Sequence, residues 1–426
     1  MTEEFLQYVW KYQLFDKENL ITSRGENIEI IFPGMQNNDS GPDFTGSKIK
    51  IDGILWVGNI EVHLNSSDWY SHGHDRDKAY DNVILHVVLN DDIPIKNSLG
   101  NEISSIKIEI KDFIVQNYKK LIADSHPIAC HELIPAIDRI HFVSWLSKLT
   151  VERLMNRAID IDNILKETNN SIENAFYIYI AKSFGFKVNS QPFEMLARSL
   201  PLNLLSHYKN NLFQIEALII GQSGYLEDNV SEKYFNDLKN EYSFLKKKHS
   251  LIPLKKHVWK TMRLRPSNFP LIRLAQFAAL IHKSSHLFSK IIESESVNDV
   301  ERLFEVTASE YWDSHYNFEH TSRNKKKRLS KSSIHLIIIN GVIPFIFVYG
   351  KNKDNEKLQD KALKFAEQMP SEKNKYIEEW NKIGIRARDS FESQGLLQLR
   401  KEYCNKRRCI DCSIGNIIIS KQYVEK

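Results

Sequence analysis

The sequence predicts an α+β protein, with an α/β core of helix, three strands, helix and strand followed by a mostly α-helical domain. β-Branched runs broken by turn residues crowd into the first roughly 110 residues. From about residue 138 onward, apolar residues recur at helical spacing nearly throughout. The chain has 426 residues, 42% hydrophobic and 26% charged, with only 16 Gly and 12 Pro. That length suits two or three domains, and the composition excludes disordered, collagen-like and disulfide-stapled classes.

The opening stretch Thr2 to Phe15 reads as a helix, with Thr2 as N-cap, Glu3 and Glu4 in its positive first turn, and Phe5, Val9, Tyr12 and Phe15 at helical spacing. Strands follow at Ile28 to Phe32, Lys48 to Ile51, Leu55 to Leu64 and Val83 to Leu89. Asp52-Gly53 between the second and third is a hairpin signal, because a two-residue primed turn needs positive φ at its centre. A further pair of short strands flanks Leu99-Gly100-Asn101, and Asp68 to Asp81 reads as a loop leading into a short helix. Long helices are expected over Ile140 to Leu165, Ser171 to Phe184 and Asn268 to Phe288, the last with Asn268 as cap. The domains are placed at 1–130 and 131–426.

Charge is divided unevenly. Residues 1–125 hold 12 Lys+Arg against 20 Asp+Glu, and residues 126–426 hold 46 against 34, so an acidic part of −8 precedes a basic part of +12. This suits a cation-holding domain beside a surface for a polyanion, although solvated lysines give the same count. Met1 is followed by Glu3 and Glu4 with no apolar leader, and the apolar run Ile334 to Tyr349 is shorter than the roughly 20 residues that span a bilayer. A buried core segment, no membrane partner and a cytoplasmic location are expected.

Chemistry concentrates around the hairpin. Asp43, in Gly41-Pro42-Asp43-Phe44, and Glu61, in Glu61-Val62-His63, lie nine and eight positions from the turn and so come opposite one another. Period two puts Glu61 and His63 on one face. Two carboxylates and an imidazole form a minimal divalent-metal hydrolytic centre. The bland alternative is an Asx-turn at Asp43 and a cross-strand lysine partner for Glu61. His72, His74 and His86 lie nearby, which raises a zinc or two-metal reading; a solvated loop and a core histidine are the alternatives.

Pro42-Asp43, the eighteen-residue gap and Glu61-x-His63, in that element order, resemble the PD-(D/E)XK nuclease superfamily, with His63 where the motif has Lys. The resemblance covers roughly residues 1 to 115. It implies a restriction-endonuclease-like core, Asp43 and Glu61 as ligands of Mg²⁺ or Mn²⁺, and His63 in the position that orients water. It further implies an acidic contribution from Glu3 or Glu4. Tyr80 matches the tyrosine of the RecB-type branch, whereas Arg76 stands where that branch has Gln. The whole chain is also similar to an uncharacterised bacterial domain-of-unknown-function family.

Cys404-x4-Cys409-x2-Cys412 has the close spacing of thiolates that share a soft metal, and Cys130 is the one other cysteine. The arrangement resembles the iron–sulfur nucleases of the RecB type, which implies a [4Fe–4S] cluster; zinc is the equal alternative. Lys246, Lys247 and Lys248, then Arg263 and Arg265, are interleaved with Trp259 and Phe269, a pattern that suits phosphate contacts and base stacking. Together these features point to a metal-dependent, nuclease-like phosphodiesterase acting on DNA or RNA. The alternative is a non-catalytic nucleic-acid or protein binding module on a degenerate nuclease fold.

Overall fold

The computed structural model describes residues 1–422. Contacts divide the chain into two compact units: Met1–Trp145 together with the chain from Arg400 onward, and Leu146–Leu399. The first is a mixed sheet with helices and the second is helical. The sequence boundary at 130 assigned the cysteine tail to the helical part, whereas contacts group that tail with the sheet.

In the first unit, α1 (Glu3–Lys11) begins at Thr2, whose side chain accepts from the Phe5 N–H, and buries Phe5, Leu6, Tyr8, Val9 and Trp10. It stops four residues before Phe15, because Gln13 turns the chain at φ 52. The strands are β1 (Ile28–Phe32), β2 (Met35–Gln36), β3 (Phe44–Ile51), β4 (Ile54–Asn65), β5 (Val83–Asn90), β6 (Ile95–Lys96), β7 (Glu102–Ile103) and β8 (Ser105–Lys107). The main sheet runs β1-β3-β4-β5-β8 with β2 beside β3, and β6 pairs with β7. β3 is antiparallel to β1 and β4, while β4, β5 and β8 run parallel. Asp52 and Gly53 take φ 47 and 81, the primed turn their sequence calls for. The expected helix after β4 is only α2 (Asp68–Ser71), followed by 3₁₀ turns at His74–Arg76 and Lys78–Tyr80. Among the unit's later elements, α3 (Asp112–Ala123) stacks Tyr118 on Phe5 of α1 at 4.0 Å.

The helical unit's core includes Phe176, Phe277, Phe345 and Trp312. The stretch Ile140 to Leu165 is two helices, Arg139–Asn156 and Ala158–Glu167. Pro270–Lys283 has Phe269 at its cap position, and Asn268 instead accepts from the Arg273 guanidinium. The Lys331–Asn352 helix is 22 residues long and apolar enough to cross a membrane by length and composition, but 78% of its apolar window is buried inside the structure. It runs longer than the apolar stretch that marked it, through a π-helical turn at Ile338–Val342.

Candidate metal centre

Asp43 stands just before β3 and Glu61 lies in β4, where Phe44 faces Ile60. The two hold each other. The Asp43 backbone N–H donates to Glu61 Oε2 at 3.0 Å, and the Val62 N–H donates to Asp43 Oδ2 at 3.1 Å. Gln7, one turn beyond Glu3 on α1, donates from Nε2 to Asp43 Oδ1 at 2.8 Å. Asp43 is thus fixed from both sides, and Glu61 keeps Oε1 free of its backbone partner.

That oxygen faces imidazoles. Glu61 Oε1 lies 3.5 Å from His63 Nε2 and 3.3 Å from His74 Nε2. Glu3 Oε1 lies 3.4 Å from His63 Nε2, and His72 Nδ1 lies 3.1 Å from the same nitrogen. His63, His72 and His74 offer ligand atoms within 4.8 Å of one another. Five side chains from α1, β4 and the segment after it therefore converge. Glu61, His63 and His74 are buried, and His72 is exposed, which leaves an open side.

The electrostatics fit a cation. Burial first, then repulsion from Glu61, pushes the Asp43 carboxyl up to about 7, despite the lowering hydrogen bonds from Val62 and Gln7. Burial also raises Glu3. Burial, reinforced by His72 and His74, lowers His63 to about 3, so its imidazole is neutral at pH 7. His63 Nδ1 lies 2.9 Å from His86 Nε2. When Nδ1–H donates to His86, Nε2 keeps a lone pair that faces Glu3, Glu61 and His72 Nδ1, the tautomer a metal ligand requires. His74 Nε2 is buried and makes no hydrogen bond, an orphan a metal bond would satisfy.

The other residues singled out in the sequence divide clearly. Tyr80 is buried and stacks on His74 at 3.7 Å, its hydroxyl pushed up to about 12 by burial and then by Glu61 and Asp43. Arg76 and Lys78 are exposed, and Glu4 points to solvent while Glu3 joins the cluster. Glu61 faces histidines and not a cross-strand lysine. The loop expected to be solvated contributes His72 and His74, and His86 is fully buried yet bonded to His63. Gln7 carried no motif signal; only its place one helical turn from Glu3 marks it. Cys130, Cys404, Cys409 and Cys412 are all free thiols in the first unit. Lys247, Lys248, Arg263 and Arg265 are exposed in the helical unit and Lys246 is half-buried. Trp259, read as a stacking aromatic, is instead core: it is 5% exposed and donates to the Ser223 carbonyl.

Fold and site define an α+β protein with a carboxylate–histidine cluster on one face of a mixed sheet. The chain belongs to the family described as Protein of unknown function (DUF2851), whose model matches residues 3–375, a span that includes Glu3, the sheet and all five clustered side chains. No curated protein and no solved structure matches the chain.

Proposed function

We propose that the first unit is a metal-dependent phosphodiesterase of the PD-(D/E)XK kind, hydrolysing DNA or RNA. The observation that carries this reading is the convergence of Glu3, Glu61, His63, His72 and His74, backed by Asp43, on a helix–strand–strand–strand core whose next long strand runs parallel. Carboxylate oxygens with imidazole nitrogens form a mixed donor set, which favours Mn²⁺ or Zn²⁺ over Mg²⁺. Such an ion supplies Lewis acidity toward a phosphate oxygen and lowers the pKa of bound water.

The chain's own groups have distinct tasks. Glu61 and His63 hold the ion; Asp43, tied to Glu61, fixes that carboxylate and adds negative charge. His63 is neutral and so stands in the place of the superfamily's lysine as a metal ligand, not as a fixed cation. Tyr80 keeps its proton at neutral pH and is a hydrogen-bond donor beside His74. The loss of a fixed cation at residue 63 also supports the second reading, a module that binds nucleic acid without cutting it.

Labelled single- and double-stranded DNA and RNA, incubated with protein and Mn²⁺ or Zn²⁺, test the proposal. Cleavage by the parent that Glu61→Gln abolishes is the expected result. Binding without cleavage under every metal leaves the second reading, and neither binding nor cleavage rejects both.

A further inference from the structure

Outside the carboxylate–histidine cluster, the first unit contains a second gathering of donors. Cys130 follows α3, whereas Cys404, Cys409 and Cys412 arrive from the far end of the chain. The chain brings the two segments together: the Arg407 guanidinium, from the loop between Cys404 and Cys409, donates to the Asp124 carbonyl six residues before Cys130 at 2.6 Å, and the Cys412 N–H donates to the Cys409 carbonyl at 3.3 Å. None is disulfide-bonded. Local backbone is shaped to turn them inward: Arg407 takes φ 53 between Cys404 and Cys409, and the Arg407 N–H donates to the Cys404 carbonyl. A Cβ on Gly415 would lie 1.9 Å from the Cys409 carbonyl oxygen, so only glycine lets the helix Ser413–Ser420 start this close.

We infer that Cys130, Cys404, Cys409 and Cys412 together hold one thiolate-ligated metal centre, a zinc ion or an iron–sulfur cluster, which fastens the C-terminal segment to the first unit. The donor set fits: four sulfurs close either kind of site. The surroundings fit as well. Cys412 sits at the N-cap of Ser413–Ser420, the positive end of that helix, where a metal-bound thiolate is favourably placed. The positive charge of Arg400 lies near Cys404 and that of Arg407 near Cys409, which offsets the surplus negative charge of four thiolates. Loading the site releases the thiol protons to solvent.

The fastening reaches the carboxylate–histidine cluster by packing. Asn117 of α3 donates to the carbonyls of Ile418 and Ile419, at 3.1 and 3.3 Å. Its neighbour Tyr118 stacks on Phe5 of α1, the helix that carries Glu3.

Full-length protein purified without oxygen is assayed for zinc, iron and acid-labile sulfide, with its visible absorbance recorded. About one zinc per chain, or iron and sulfide with visible absorbance, is expected. Any single Cys→Ser should lose that metal, and His72→Ala should keep it, which separates this centre from the other cluster. Should a Cys→Ser chain fail to fold, a thiol-reactive mercurial on the parent should release the metal, and hydrogen exchange across Ser413–Ser420 and α3 should then speed up. Metal-free protein with four freely reacting thiols that takes up neither zinc nor, anaerobically, iron and sulfide would overturn the inference.

Discussion

His86 Nε2 lies 2.9 Å from His63 Nδ1, at the bottom of the carboxylate–histidine cluster. With His86 fully buried, this hydrogen bond orients the His63 ring and fixes which nitrogen faces Glu3 and Glu61. His86→Phe keeps much of the volume and removes the partner. Affinity for Mn²⁺ or Zn²⁺, read by calorimetry, should fall about 10- to 100-fold, the usual cost of losing such a support. Unchanged affinity would show that His63 needs no orienting partner.

Asp43 makes the metal-free protein sensitive to pH. Its folded pKa, about 7, lies above the ordinary 3.8, so the protonated form favours the fold. That contribution is complete below about pH 4 and is lost as pH rises through about 7. Thermal melts of metal-free protein should therefore lose stability across this window. Asp43→Asn, neutral throughout, should flatten the slope; an equal slope in both proteins would contradict the assignment.

Part of this site was legible from the Asp52-Gly53 turn, which sets the β3–β4 register from Ile51 opposite Ile54 to Ser47 opposite Gly58, and from period two, which puts His63 on the face of Glu61. The register shift between Phe44 and Ser47 was not legible, and it is this shift that puts Phe44 opposite Ile60 and so Asp43 beside Glu61 and not Val62. The choice between Glu3 and Glu4 was not legible, since both occupy the first turn of α1 and only packing on β4 decides between them. His72 and His74 lie on a short helix end and 3₁₀ turns, which carry no hydrophobic period to orient them. Trp259 misled because an aromatic among lysines reads as a stacking platform, while its indole is buried against Ser223. The cysteines were marked by type and spacing, but the unit they belong to was not: the boundary at 130 put Cys404, Cys409 and Cys412 with the helices, and contacts group them with the sheet.

Trp69 links the cluster to the core. It is fully buried, donates from Nε1 to the Lys96 carbonyl at 2.9 Å, and packs edge-on against His74 and His86. Trp69→Ala should destabilise the protein by about 3–5 kcal/mol in chemical denaturation. It should also weaken metal binding, because His74 loses a wall. A change under about 1 kcal/mol would mean the site collapses around the gap.

If the basic helical unit contacts nucleic acid, binding should weaken steeply with salt. Each phosphate contact steepens the logarithmic slope by about 0.9 for duplex or 0.7 for single strands. Replacing Lys246, Lys247 and Lys248, or Arg263 and Arg265, by Gln should flatten it in fluorescence anisotropy. Lys327 serves as the control: it is buried, its ammonium donating to the Asp313 and Lys325 carbonyls, so it should add nothing to the slope. Equal slopes in parent and variants would leave those five side chains as solubility charges only.

The claim on which the functional account rests is that the carboxylates and histidines share one ion. Anomalous diffraction from crystals soaked in Mn²⁺, collected on the parent and on Glu61→Gln, tests it most directly. The account predicts one strong peak in the parent, at ligand distance from Glu61 Oε1 and His63 Nε2 and with Glu3, His72 or His74 completing the shell, and its loss in the variant. A parent with no peak there, Glu61 and His63 remaining in direct contact, would contradict it.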